Sequence, residues 1–248
     1  MITLAILVIY ALILTALLAY NGLREDNDIP SHPAGDKINR ILIIGATGGT
    51  GLQLVEQAIE KGFFVTALVR NPDKFKIKHS QLQVVKGDVL DFGSIEKAVQ
   101  GQDAVVSALG HKQFFGPTRI LSEGTANIIR AMEKTGVKRL ICETSLGIGA
   151  SAGRMGLYYT FFVIPFILPF YFWDKTRQER IISESATEWV IVRPSMLTNG
   201  KRSGKYRHGT GIGNYLWTAR ISRADVADFM LNRLSDNTYL GKAVGVSR

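Results

Sequence analysis

The chain has one cysteine, Cys142, in 248 residues, so no internal disulfide can close, and a reducing compartment suits it. Histidine is scarce as well. His32, His79, His111 and His208 lie far apart without metal-ligand spacing, so no metal site is expected. There is no internal repeat, no low-complexity tract and no basic stripe interleaved with aromatics, which removes nucleic acid from the candidate partners. Acidic residues are the minority, 21 against 30 Lys and Arg. The formal charge of +9 points to an anionic partner, either a phosphorylated small molecule or a lipid surface.

Charge is absent altogether from Met1 to Leu23, a run made almost wholly of Leu, Ile, Ala and Val. About 20 apolar residues at roughly 1.5 Å each span the ~30 Å hydrocarbon layer, so residues 1–23 are expected to be a transmembrane anchor. A cleaved signal peptide would start with Lys or Arg and end in small residues, and this run does neither. Arg24, Lys37 and Arg40 follow it, which puts the remainder on the cytoplasmic side of the bilayer. Residues 24–38, with two prolines and mixed charges, read as a linker to one domain over 39–248.

Within that domain, apolar strands alternate with amphipathic helices. Strands are expected at Arg40–Gly45, Phe63–Val69, Leu82–Lys86, Ala104–Ala108, Arg139–Thr144 and Glu188–Arg193. Helices are expected at 51–61, 94–100, 121–135 and 174–186, and Ser222 to Asp225 reads as a capping box opening one more. Near-continuous apolar strands between helices imply an α/β fold, a doubly wound parallel sheet of Rossmann type covered on both faces.

ILIIGATGGTG, residues 41–51, runs from a strand through Gly45-x-x-Gly48-x-x-Gly51 into a helix. Gly45 permits the tight turn, Gly48 lets the backbone approach a pyrophosphate, and Gly51 lets the helix close on the sheet. The end of the second strand lacks the acidic residue that accepts from an NAD ribose. It carries Arg70 instead, with Lys74 four residues on, and a guanidinium there suits a 2′-phosphate. NADP(H) is the expected cofactor.

GATGGTG, LVRNPDK, VVKGDVLD, GQDAVVSALG and EGTANIIRAMEKTGVKRLICETS occur in that order. Together they resemble the atypical short-chain dehydrogenases/reductases, nearest to the biliverdin reductase B/flavin reductase and NmrA-like group. The resemblance covers about residues 39–247 and is strongest over 40–145. It implies that Thr47, Gly49 and Thr50 sit with the loop glycines at the phosphates, and that Asp88 and Val89 lie beside the adenine. Ala108, Leu109 and Gly110 would line the nicotinamide ribose, and Thr144 and Ser145 would end the fifth strand next to the nicotinamide. The sequence departs from that group by carrying Ser195 where a cleft histidine is usual, which argues against biliverdin or flavin as substrate.

The chain also holds a single Tyr-x-x-x-Lys, Tyr171 and Lys175. On a helix these share a face, and a phenol of ordinary pKa about 10 needs a nearby cation to move protons near neutrality. The resemblance implies a catalytic trio: Tyr171 as acid, Lys175 as its cation and Ser145 as the orienting hydroxyl. The competing reading gives Tyr171 to an aromatic face and Lys175 to solvent.

LYYTFFVIPFILPFYFW, residues 157–173, is seventeen uncharged residues with nine aromatics and two prolines. Its prolines and length argue against a second span, so it is expected to wall a hydrophobic substrate pocket, to dip into the bilayer interface, or both. Two functions follow. One is a reductase acting on a hydrophobic carbonyl or enone; the other is an NmrA-like protein that binds NADP(H) without turning it over.

Overall fold

The computed structural model describes residues 37–114 and 116–248. The expected anchor at 1–23 and most of the linker lie outside the described residues. Ten strands and five α-helices follow in the order β1 (Arg40–Ile44), α1 (Gly49–Glu60), β2 (Phe64–Val69), β3 (Leu82–Lys86), α2 (Phe92–Val99), β4 (Ala104–Ser107), α3 (Ile120–Thr135), β5 (Arg139–Glu143), α4 (Pro169–Ser183), β6 (Glu188–Pro194), β7 (Met196–Thr198), β8 (Arg207–Gly209), β9 (Arg220–Ser222), α5 (Arg223–Asn232) and β10 (Lys242–Ser247). A π-helix, Tyr159–Ile167, precedes α4.

Eight strands form one sheet in the order β3-β2-β1-β4-β5-β6-β10-β8, parallel except for β8, which runs antiparallel to β10. The six strands read from the sequence are in the Rossmann order, with the switch point between β1 and β4. Side chains of β1 alternate between the two covered faces. Ile41 and Ile43 pack under α1 and α5, whereas Leu42 and Ile44 pack under α2, α3 and α4. Since β1 is central, all four are fully buried, which is why its run is apolar without alternation.

Two expectations need correction. Helix α4 starts at Pro169 rather than 174, because Pro at the first helical position costs no hydrogen bond and has the right φ. Pro165 sits inside the π-helix. Four short or late strands, β7 to β10, were also not read from the sequence. Among the described residues, no helix is long and apolar enough to cross a membrane.

Candidate active site

The glycine loop leaves β1 at the carboxyl end of the sheet. Gly45 has φ +79°, and a Cβ there would lie 2.3 Å from the Ala108 carbonyl oxygen. A Cβ on Gly51 would lie 2.0 Å from the Gly45 oxygen, so only glycine lets α1 begin this close to the loop. The Gly48 amide donates to the Gly45 oxygen at 2.9 Å and completes the turn. Helix α1 follows with Gly48 as its N-cap, with no side-chain cap and no acidic residue in its first turn. Its first amides and the positive end of its dipole are thus left for an anion.

A cleft of about 780 Å³ opens over this loop, along the carboxyl ends of β1, β2, β4 and β5. Of the expected cofactor residues, Gly45, Thr47, Gly48, Gly49, Thr50, Arg70, Asp88, Val89, Ala108, Leu109, Gly110 and Thr144 line it. Gly51 lies beneath the loop, and Lys74 is exposed in a 3₁₀ turn away from the cleft. Arg70 is exposed at the end of β2 and lines one end of the cleft, and its guanidinium makes no hydrogen bond or ion pair within the described residues.

Tyr171 and Lys175 also line the cleft. Both sit in the opening turns of α4, with the Lys175 ammonium 5.3 Å from the Tyr171 ring centroid. The Tyr171 hydroxyl reaches the backbone at Gly110, 3.8 Å from where a Cβ would stand. Lys175 is only 3% exposed, yet its ammonium has no hydrogen-bond or ion-pair partner among the described residues. A buried cation facing a cleft without a partner fits the hydroxyl-rich ribose of a nucleotide cofactor. Ser145, one residue past Thr144, is half-buried and does not line the cleft. Ser195 is buried too, its hydroxyl unpartnered, and it stays out of the lining.

Other residues besides the expected ones line the cleft, and three of them bear on the site: His111, whose place directly after Gly110 was its signal in the sequence, Arg223 and Glu143. His111 makes an edge contact with Tyr171, ring centroids 4.9 Å apart. Its Nδ1 accepts from the Gln113 amide at 3.2 Å, leaving Nε2 to donate to Thr118 Oγ1 at 3.0 Å. Burial pushes its pKa below the usual value. Arg223, first residue of α5, lies over Gly49 and is held by Asn199 Oδ1 at 2.7 Å. The third is Glu143, buried at the end of β5, which accepts from Thr50 Oγ1 at 3.1 Å. Its one available signal was a carboxylate at the end of an otherwise apolar strand.

Burial pushes the Glu143 carboxyl above the usual range, against the opposing pull of Lys175, the Thr50 hydroxyl and Arg223. The folded protein therefore holds a proton that the unfolded chain releases near its ordinary pKa of about 4.3. Stability conferred by that proton is present below the unfolded pKa and is lost as pH rises through the folded one. Glu143→Gln is accordingly expected to raise the melting temperature at about pH 8 and to change it little near pH 4, read by thermal unfolding at the two pH values.

Two buried carboxylates on α4 fix Tyr171 and Lys175 in place. Asp174, 0% exposed, accepts from the Leu121 amide at 2.9 Å, the Ser122 amide at 3.1 Å and the Ser122 hydroxyl. It caps α3 from outside, since Arg119 supplies no side-chain cap. Glu179 takes the Arg193 guanidinium in two bonds, 2.9 and 2.6 Å, and the Thr144 hydroxyl at 2.6 Å. These bonds tie α4 to the ends of β5 and β6.

A family profile described as NAD(P)H-binding matches residues 45–237. The chain belongs to that NAD(P)H-binding family. Its fold is that of short-chain dehydrogenases/reductases. An uncharacterized chloroplastic protein of Arabidopsis thaliana is 31% identical over 181 residues, 68% of this chain and 62% of that one. The chloroplastic protein TIC 62 of Pisum sativum is 26% identical over 82% of this chain and 41% of its own length. The photosystem II assembly factor Ycf39 of Synechocystis is 33% identical over 41% of this chain and 32% of its own length. The chain thus spans less than two thirds of these relatives. Among solved structures, a Veillonella parvula short-chain dehydrogenase/reductase in complex with NADP has a TM-score of 0.71 at 19% identity, covering 86% of this chain and 95% of that one. ChuY, an anaerobillin reductase of Escherichia coli O157:H7, has a TM-score of 0.70 at 24% identity, covering 84% and 97%. At such identities the likeness shows a shared fold.

Proposed function

We propose that the protein is a membrane-anchored, NADPH-dependent reductase acting on a hydrophobic carbonyl or enone, with its body on the cytoplasmic side. One arrangement carries the reading. Arg70, without a partner among the described residues, stands at one end of the cleft, an uncapped glycine loop lies between, and Tyr171 with the buried Lys175, whose ammonium is likewise without a partner among them, stands at the other. Arg70 would grip a 2′-phosphate, the loop and α1 the pyrophosphate, and Lys175 the ribose. The cofactor supplies the hydride when bound. Tyr171 gives its hydroxyl proton to the substrate oxygen, and the Lys175 ammonium stabilises the phenolate left behind. Phe114, 5.8 Å from the Tyr171 ring, would provide apolar surface for the rest of the substrate. The uncharged run 1–23 supports the anchor, and Arg24, Lys37 and Arg40 support its orientation.

Arg70→Ala tests the cofactor choice. Losing one charge-assisted contact of about 1.5–3 kcal/mol should weaken NADPH binding by roughly 10- to 100-fold and leave NADH binding as it was. Equal losses for both cofactors, read by fluorescence titration, would remove Arg70 from the 2′-phosphate site.

A second reading is a regulatory or assembly protein that binds NADP(H) without turnover. Likeness to an assembly factor and the position of Ser145 outside the cleft lining favour it. Tight NADP⁺ binding with no NADPH consumption across a panel of lipophilic carbonyls would select it.

A further inference from the structure

Twelve large hydrophobic residues are exposed among the described residues, and nine of them belong to one ledge. Eight come from the π-helix and its flanks, including Phe161, Phe162, Phe166 at 75% exposure, Phe170 and Trp173. The ninth, Trp217, is 61% exposed and held beside them where the Leu157 amide donates to the Leu216 oxygen at 3.2 Å. Gly156 permits this join, since a Cβ there would lie 2.6 Å from Trp217 backbone carbon. No charged side chain interrupts the segment from Leu157 to Trp173. Basic groups stand at its edge: Arg177 lies 4.8 Å over the Trp173 ring, and Lys112 is exposed on the loop that brings Phe114 against Tyr171. An apolar patch of this extent on a soluble surface marks an interaction site.

We infer that this ledge seats on the surface of a lipid bilayer with anionic headgroups, aromatic rings at the headgroup level and Arg177 and Lys112 toward the phosphates. Phe, Trp and Tyr with basic residues at the rim are the composition of an interfacial surface rather than of a spanning segment. The proposed anchor at residues 1–23 would tether the body. Its apolar run ends at Leu23, and the thirteen residues 24–36 reach at most about 45 Å when extended. A body so tethered stays within reach of the bilayer, and the ledge decides which face turns to it. Tyr171, which lines the cleft, lies in the same helical turn as Phe170 and Trp173, so this end of the cleft borders the ledge. Substrate would then enter from the lipid, a step that rests on the proposed reductase function; the docking itself does not.

The chain carries its own reporters, because two of its three tryptophans, Trp173 and Trp217, are on the ledge and Trp189 is half-buried in β6. The full chain is mixed with phosphatidylcholine–phosphatidylglycerol vesicles whose acyl chains are brominated near the headgroup. Emission from Trp173 and Trp217 is expected to be quenched, and that of the Trp173→Phe/Trp217→Phe double variant, which keeps Trp189, is not. Phe162→Ser with Phe166→Ser, both exposed, should relieve quenching without altering NADPH binding, which also shows that the variant is folded. Absence of quenching in the wild type would overturn the proposal, as would equal quenching of Trp189. So would a ledge that leaves lipid alone but whose serine variants halve the particle mass, since its occupant would then be a second copy. None of these outcomes depends on catalysis.

Discussion

Replacing Tyr171 by phenylalanine is expected to lower kcat by ~10²–10⁴ while leaving NADPH binding unchanged. The ring is held by contacts that do not involve its hydroxyl: the edge contact with His111 at 4.9 Å, Phe114 at 5.8 Å and the Lys175 ammonium over its face. Phenylalanine therefore keeps the packing and removes only the proton donor. Ser145→Ala is expected to do much less, because Ser145 does not line the cleft. Single-turnover oxidation of NADPH with a carbonyl substrate separates the two. Wild-type rates in the Tyr171 variant would take catalysis away from this residue and favour the non-catalytic reading.

The largest expected effect on stability falls at Asp174. Alanine there deprives two backbone amides and the Ser122 hydroxyl of their acceptor, all in a fully buried place. Unsatisfied buried donors cost about 1–3 kcal/mol each, but part is recovered by relaxation and water, so a net loss of about 3 kcal/mol is expected. For a chain of this length that lowers Tm by about 10 °C. Asp174→Asn keeps one good acceptor and should lose about half as much. Thermal unfolding checks both; an alanine variant as stable as wild type would show that α3 needs no cap from α4.

These two residues also show what was legible in the sequence. The six strands from Arg40 to Pro194 were read to within a residue or so, since buried parallel strands are unbroken apolar runs. The glycine loop was legible because tight turn, pyrophosphate approach and close helix packing each demand glycine at a fixed spacing. Ser222 was read as a cap, and its hydroxyl does accept from the Asp225 amide at 2.9 Å. Strands β7, β8 and β9 were not found, because three residues carry too little periodicity. The start of α4 was hidden by an aromatic run whose π-helical turns follow neither the strand period nor the helix period.

Asp174 was read only as the first residue of a helix, and only the packing of α4 on α3 reveals it as another helix's cap. His111, Glu143 and Arg223 meet at the cleft from three distant segments, and no local pattern joins them. Arg70 and the Tyr171–Lys175 pair were legible because each is marked by position, one at the end of the second strand and the other by helical spacing.

The most direct test of the account is a structure of the protein with NADPH bound. The account predicts the 2′-phosphate against Arg70, the ribose within reach of the Lys175 ammonium, and the nicotinamide beside Tyr171 with room for one carbonyl between ring and hydroxyl. A nicotinamide directed away from Tyr171, or a Tyr171 hydroxyl closed off from the ring by the His111 loop, would contradict it.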